Sequence, residues 1–139
     1  MLESNCNPRL LNPLALAFVG DAVYSLLTRE RLAAQGVHPS RLHGMSVRLV
    51  SAPAQAAAAE QIAPLLTEEE TAIFRRGRNA HTSATPKNAS GREYHAATGL
   101  EALFGYLHLK GETTRIAQLF EVIWAAGFGN TTSERAERT

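Results

Sequence analysis

Asp21 is the sole aspartate of the 139-residue chain, and it falls inside Ala17-Phe18-Val19-Gly20-Asp21-Ala22-Val23-Tyr24, an otherwise apolar stretch. That pattern places it in a helix interior, where Asp competes with the backbone for hydrogen bonds and an unpaired buried charge is costly. Gly20 beside it costs about 0.8–1.0 kcal/mol relative to Ala in a helix. Glu101 repeats the arrangement in Ala97-Thr98-Gly99-Leu100-Glu101-Ala102-Leu103-Phe104-Gly105. The flanking glycines would let another backbone or a ligand come close. One such acid suits a cap on a neighbouring helix or a partner for a buried Arg. Two, in two similar helices, favour one shared site. Carboxylates without a Cys/His cluster select a hard, oxygen-loving divalent ion, so Asp21 and Glu101 are expected to hold Mg²⁺, with Mn²⁺ as a substitute.

A second chemistry lies in the distribution of charge. The net charge is +1, too little for a polycation that holds nucleic acid by charge alone, yet two windows contain no acid. Arg31–Ala59 carries Arg31, Arg41, Arg48, His38 and His43. Thr71–Arg92 carries Arg75, Arg76, Arg78, His81, Lys87 and Arg92, interleaved with Asn79, Thr82, Ser83, Thr85 and Asn88. Guanidinium forks and neutral amides suit phosphates and sugar hydroxyls. A solvated helix end with arginines complementing the macrodipole is the plainer alternative. Phe74 is the sole aromatic of these windows before the closing Arg92. A backbone-read duplex is therefore favoured over a single strand on a stacking platform. His38 and His43, with no third ligand, read as surface histidines, and Cys6 lacks an activating base nearby. Ser51 and Gln55 suit RNA contact or, equally, a helix cap and a surface amide.

The elements that must position these groups read as helices throughout. Hydrophobic residues make up 45% and charged residues 19% of the chain, enough to bury a core. Asn12 and Pro13 start a helix that runs to about Gln35 and stops at Gly36, with Leu14, Phe18, Ala22 and Leu26 and the set Val19, Val23 and Leu27 at helical spacing. Ser40 is expected to cap a second helix to about Val50, and Pro53 to open a third that closes near Pro64. Thr67 and Glu70 form a capping box for a fourth, fading near residues 77–80. A polar loop over about 81–89 follows. Ser90 and Glu93 suggest another capping box for a helix to about Lys110, and a last helix spans about 112–126. The expectation is an all-α domain of about six helices over residues 12–128, with a leading segment 1–11 and a flexible tail 129–139. No apolar run reaches the roughly 18 residues of a membrane span, and neither a signal peptide nor a disulfide framework is apparent. A reduced, cytoplasmic setting follows.

Ala17-Phe18-Val19-Gly20-Asp21-Ala22-Val23 resembles the signature helix of the ribonuclease III family, whose usual form is Glu-x-x-Glu-Phe-Leu-Gly-Asp-Ala. Thr98-Gly99-Leu100-Glu101-Ala102-Leu103-Phe104-Gly105 resembles that family's second motif, Asp-x-x-Glu-Ala-Leu-x-Gly. The intervening Val50-Ser51-Ala52, Arg76-Gly77-Arg78-Asn79-Ala80 and Thr85-Pro86-Lys87-Asn88 are similar to the Mini-ribonuclease III branch. The resemblance covers about Asn12 to Leu119. Ala17 and Thr98 stand where two further family acids would be, a thinner set that the Mini-III branch shares.

The resemblance implies a homodimeric, Mg²⁺-dependent endoribonuclease that cuts double-stranded RNA, leaves 5′-phosphate ends and matures the ends of precursor 23S ribosomal RNA. Asp21 and Glu101 would be catalytic and metal-binding, and Arg75, Arg76, Arg78, Asn79, Thr85, Lys87 and Asn88 would grip RNA. The alternative is a non-catalytic domain of the same type that binds structured ribosomal RNA. Retention of both acids speaks for the enzyme.

Overall fold

Six α-helices carry the structure, a computed structural model that describes residues 6–80 and 91–128: α1 Pro13–Ala34, α2 Pro39–Leu49, α3 Ala52–Ile62, α4 Glu68–Asn79, α5 Gly91–Leu109 and α6 Thr113–Ile123. Short 3₁₀ turns occupy Pro8–Leu10 and Ala63–Leu65, and a π-helical turn, Trp124–Phe128, follows α6. Among the described residues there is no strand. The expected all-α domain of about six helices is what the chain forms. The loop 81–89, Ser90 of the expected second capping box, and the tail 129–139 lie outside the described residues.

Local chemistry sets most boundaries. Asn12 caps α1 by accepting from the Leu14 amide at 2.8 Å, and Pro13 takes the first turn. The helix ends before Gly36, whose φ of 73° suits glycine. Thr67 and Glu70 close the capping box reciprocally, at 3.1 and 2.9 Å. One cap differs from expectation: α2 is capped by the His38 ring, whose Nδ1 accepts from the Ser40 amide at 3.2 Å, with Pro39 in the first turn. Ser40 instead sits inside the helix, because Pro at the first position fixes the residue before it as the cap. Ser51 caps α3 at 3.3 Å to the Ala54 amide, so that the helix opens at Ala52, one residue before the expected Pro53.

Helix α5 runs through the middle, packed on α1, α3 and α4, and Ala97–Leu100 and Ala102–Leu107 are all buried. Such a helix cannot be amphipathic. Around it lie Leu16, Tyr24, Leu32, Ile62, Ile73, Leu119 and Ile123, with Tyr24 edge-on to Phe104 and Phe120 at 5.4 and 5.6 Å between centroids.

Which face α1 turns inward is set by its small residues. Leu16, Ala17, Gly20, Tyr24, Thr28 and Leu32 are buried, while Phe18 is 82% and Leu26 59% exposed. Of the residues at helical spacing, Phe18 and Leu26 therefore lie outside while Val23 and Leu27 pack partly buried against the core, because α5 selects the face with Gly20, where backbones can touch. A β-carbon on Gly20 would stand 1.6 Å from the Glu101 carbonyl oxygen, and one on Gly105 would stand 1.9 Å from the Leu16 carbonyl oxygen. The two glycines thus face each other at the α1–α5 crossing. Gly77 and Gly99 repeat the device between α4 and α5, against Ala102 and Phe74.

Candidate active site

The Gly20–Gly105 crossing decides where the two acids go. Asp21 follows Gly20 on α1, and Glu101 lies one turn before Gly105 on α5. The close approach of the two backbones brings the Asp21 and Glu101 side chains together. Burial, then the hydrogen bond to Asp21 and the charge of Asp21, push the Glu101 carboxyl up to about 8, while the Gln55 amide works the other way. Asp21 itself is exposed and Glu101 half-buried. Neither acid caps a helix or meets a buried Arg in any contact described, so the plainer reading of each loses its support. What they form together is a rim: one carboxyl at the surface, the other just beneath.

The third side chain here is Gln55, from α3. It is 2% exposed, not the surface amide the sequence also allowed, and its Nε2 has no hydrogen-bond partner. Its signal in the sequence was its type, a lone polar residue in the run Ala52-Pro53-Ala54-Gln55-Ala56-Ala57-Ala58-Ala59. Ala17 is buried, and Thr98 is buried with its hydroxyl donated to the Tyr94 carbonyl at 3.0 Å.

The donor set fits a hard divalent cation. The two carboxyls come from facing helices, and Glu101 holds its proton above the ordinary carboxylate range; a cation would replace that proton. Among the described residues no group of three or more His, Cys, Asp and Glu gathers to hold a metal. Asp21 and Glu101 would therefore leave most of an ion's coordination to water, as Mg²⁺ prefers.

The arginines divide into two kinds. Arg75, Arg78 and Asn79 stand exposed along α4 and its end, with Arg78 Nε donating to Asn79 Oδ1 at 3.4 Å. Arg76 is employed within the fold, donating to the carbonyls of Arg9 at 2.8 Å and Leu11 at 2.9 Å, which ties down the leading segment. Thr85, Lys87 and Asn88 lie outside the described residues. In the other acid-free window Arg31 pairs with Glu121 and lies over Phe120 and Trp124, 5.9 and 5.3 Å from the ring centroids. Among the described residues no helix is long and apolar enough to cross a membrane.

Comparison with known proteins adds lineage. Residues 14–112 match the model of the ribonuclease III domain. A Mini-ribonuclease 3 from Symbiobacterium thermophilum is 47% identical over 116 residues, covering 83% of this chain and 89% of that protein. One from Thermoanaerobacter is 49% identical over 113 residues, covering 81% and 80%. A crystal structure of a Fusobacterium nucleatum protein superposes with a TM-score of 0.76 at 29% identity, covering 85% of this chain and 95% of that one. Helix order, the facing acids and these matches agree: the chain belongs to the ribonuclease III family, on its Mini-ribonuclease 3 branch.

Proposed function

We propose that the protein is an endoribonuclease that cuts double-stranded RNA with Mg²⁺ at Asp21 and Glu101. The observation that carries this is the meeting of two carboxyls from different helices at a glycine crossing, where a purely structural fold would gain nothing from them. The precursor of 23S ribosomal RNA is the substrate the family resemblance implies. When bound, the ion supplies an activated water and neutralises charge at the scissile phosphate. The protein's own part is to hold the two carboxyls convergent; Glu101, kept protonated by burial and by Asp21, would release that proton on binding a cation. Exposed Arg75, Arg78 and Asn79 supply backbone-directed donors, joined on this reading by Thr85, Lys87 and Asn88. Arg76, also expected in this grip, acts through the leading segment it holds.

A second copy completes the reading. Phe18 and Leu26 lie two turns apart on the outer face of α1 beside Asp21, and large apolar groups at that exposure are suited to burial against another subunit. A two-fold dimer through this face would set two sites along one duplex.

The test is incubation with a long RNA duplex, with and without Mg²⁺, for the parent and for Asp21→Asn. The parent should cut only with Mg²⁺, leave 5′-phosphate ends and sediment as a dimer. The variant, isosteric but uncharged, should lose at least about 10³-fold in cleavage rate while remaining folded and still binding duplex. Near-parental cleavage by Asp21→Asn overturns the site. Duplex binding without cleavage in the parent favours a non-catalytic binder.

A further inference from the structure

Gln55 is buried at 2% exposure in an alanine-rich helix, and its Nε2 bonds to nothing. Buried amides are nearly always satisfied, so an orphan needs a reason. Helix α3 packs on α5, and the acceptor it faces there is the Glu101 carboxyl. Asp21 and Gln55 are the side chains acting on that carboxyl, the first opposing its charge and the second favouring it. The contact stops short of a formed hydrogen bond. The other neighbours inherited from the family's pattern cannot help: Ala17 has no polar group, and Thr98 has committed its hydroxyl to Tyr94.

Carboxylates that converge on one cation need their lone pairs directed, and donors behind them do this work. We propose that Gln55 is a positioning residue for Glu101: its amide nitrogen donates to the Glu101 carboxylate and holds it turned toward Asp21. The proposal rests on the metal-dependent nuclease reading above. It assigns to a neutral side chain of α3 the orienting role for which this chain, with Ala17 and Thr98, has no further acids in the two motifs.

The experiment uses Gln55→Met, which keeps length and removes the donor, and Gln55→Asn, which keeps the amide and shortens its reach. Mn²⁺ binding is measured calorimetrically on the RNA-free protein, alongside duplex cleavage and melting. Each variant should melt near the parent, bind Mn²⁺ at least about tenfold more weakly, and lose about tenfold or more in kcat with KM for RNA within twofold, the loss typical of outer-shell changes at metal sites. Parental Mn²⁺ affinity and kcat in whichever variant folds overturns the proposal. If both variants fail to fold, Gln55 is a core residue and the proposal fails equally. A parent that neither binds Mn²⁺ nor cuts duplex overturns the nuclease reading and this assignment with it. A parent that does both, matched by its variants, overturns Gln55 alone.

Discussion

Acids gather at two places around α5, and the protein treats them in opposite ways. Where α4 and α6 begin beside the end of α5, Glu70 takes both Arg115 Nε and Nη2 at 2.8 Å and the Thr67 amide at 2.9 Å. Glu69 accepts from Tyr106 Oη at 2.7 Å and Lys110 Nζ at 3.2 Å, with Arg9 at 3.6 Å. The Arg115 hydrogen bonds hold the Glu70 carboxyl below the ordinary carboxylate range, and the Tyr106 and Lys110 hydrogen bonds do the same for Glu69. At the α1–α5 crossing the acids have only each other and a half-engaged amide, and Glu101 rises to about 8. The same chemical group is settled by cations at one site and meets another carboxyl at the other. The cavity beside Glu69 and Glu70 is lined by Tyr106, Lys110 and Arg115 as well, and these groups already satisfy one another there. Unmet charge, more than concavity, marks the site.

The comparison breaks most completely if the crossing is forced open. Gly20→Ala puts a methyl against the Glu101 carbonyl, backbone that cannot move aside, and should cost about 3 kcal/mol or more, the upper range of overpacking. Gly44→Ala, which meets nothing within 4 Å, should melt no lower than the parent. Thermal melts of both check this, and a parental melt for Gly20→Ala would contradict the geometry.

A smaller effect sharpens the other side. Arg115→Met removes two charge-assisted hydrogen bonds from nearly buried Glu70 and one from the Leu65 carbonyl. Stability should fall by about 1.5–3 kcal/mol, while duplex cleavage stays within twofold of the parent. Denaturant titration and a cleavage time course read the two quantities separately. A comparable loss of cleavage in the folded variant would make this corner part of the functional site.

The subtlest contrast is in pH. Glu70, held low, binds its proton less tightly folded than unfolded, so its contribution is present above the ordinary range and is lost as pH falls through the folded value. Glu101 has the opposite sign. Between its ordinary value of 4.5 and about 8 the folded state keeps a proton that the unfolded state releases. Stability of the metal-free protein therefore declines as pH rises through that window. Glu101→Gln should flatten the decline on the alkaline side, whereas Arg115→Met should flatten the loss on the acid side. Stability measured without divalent ions from about pH 2 to 9 tests both signs, and an unchanged alkaline slope in Glu101→Gln would remove the buried proton from the account.

The residues themselves announced much of this. Caps and stops depend on neighbours in sequence, so Asn12, Pro13, Gly36, Thr67 and Glu70 could be read locally, and six helices followed. Asp21 and Glu101 stood out because an acid in an apolar run violates helix chemistry wherever it occurs. Only the tertiary structure decided which face of α1 turns inward, because apolar spacing does not tell a core stripe from an outer one, and the glycine face won by allowing the closest backbone approach. It alone set Arg76 on the leading segment, carried Gln55 beneath Glu101, and answered Glu69 and Glu70 with Lys110 and Arg115. Those pairings join residues separated by about 40 or more positions, and no local pattern in a single sequence carries such distances.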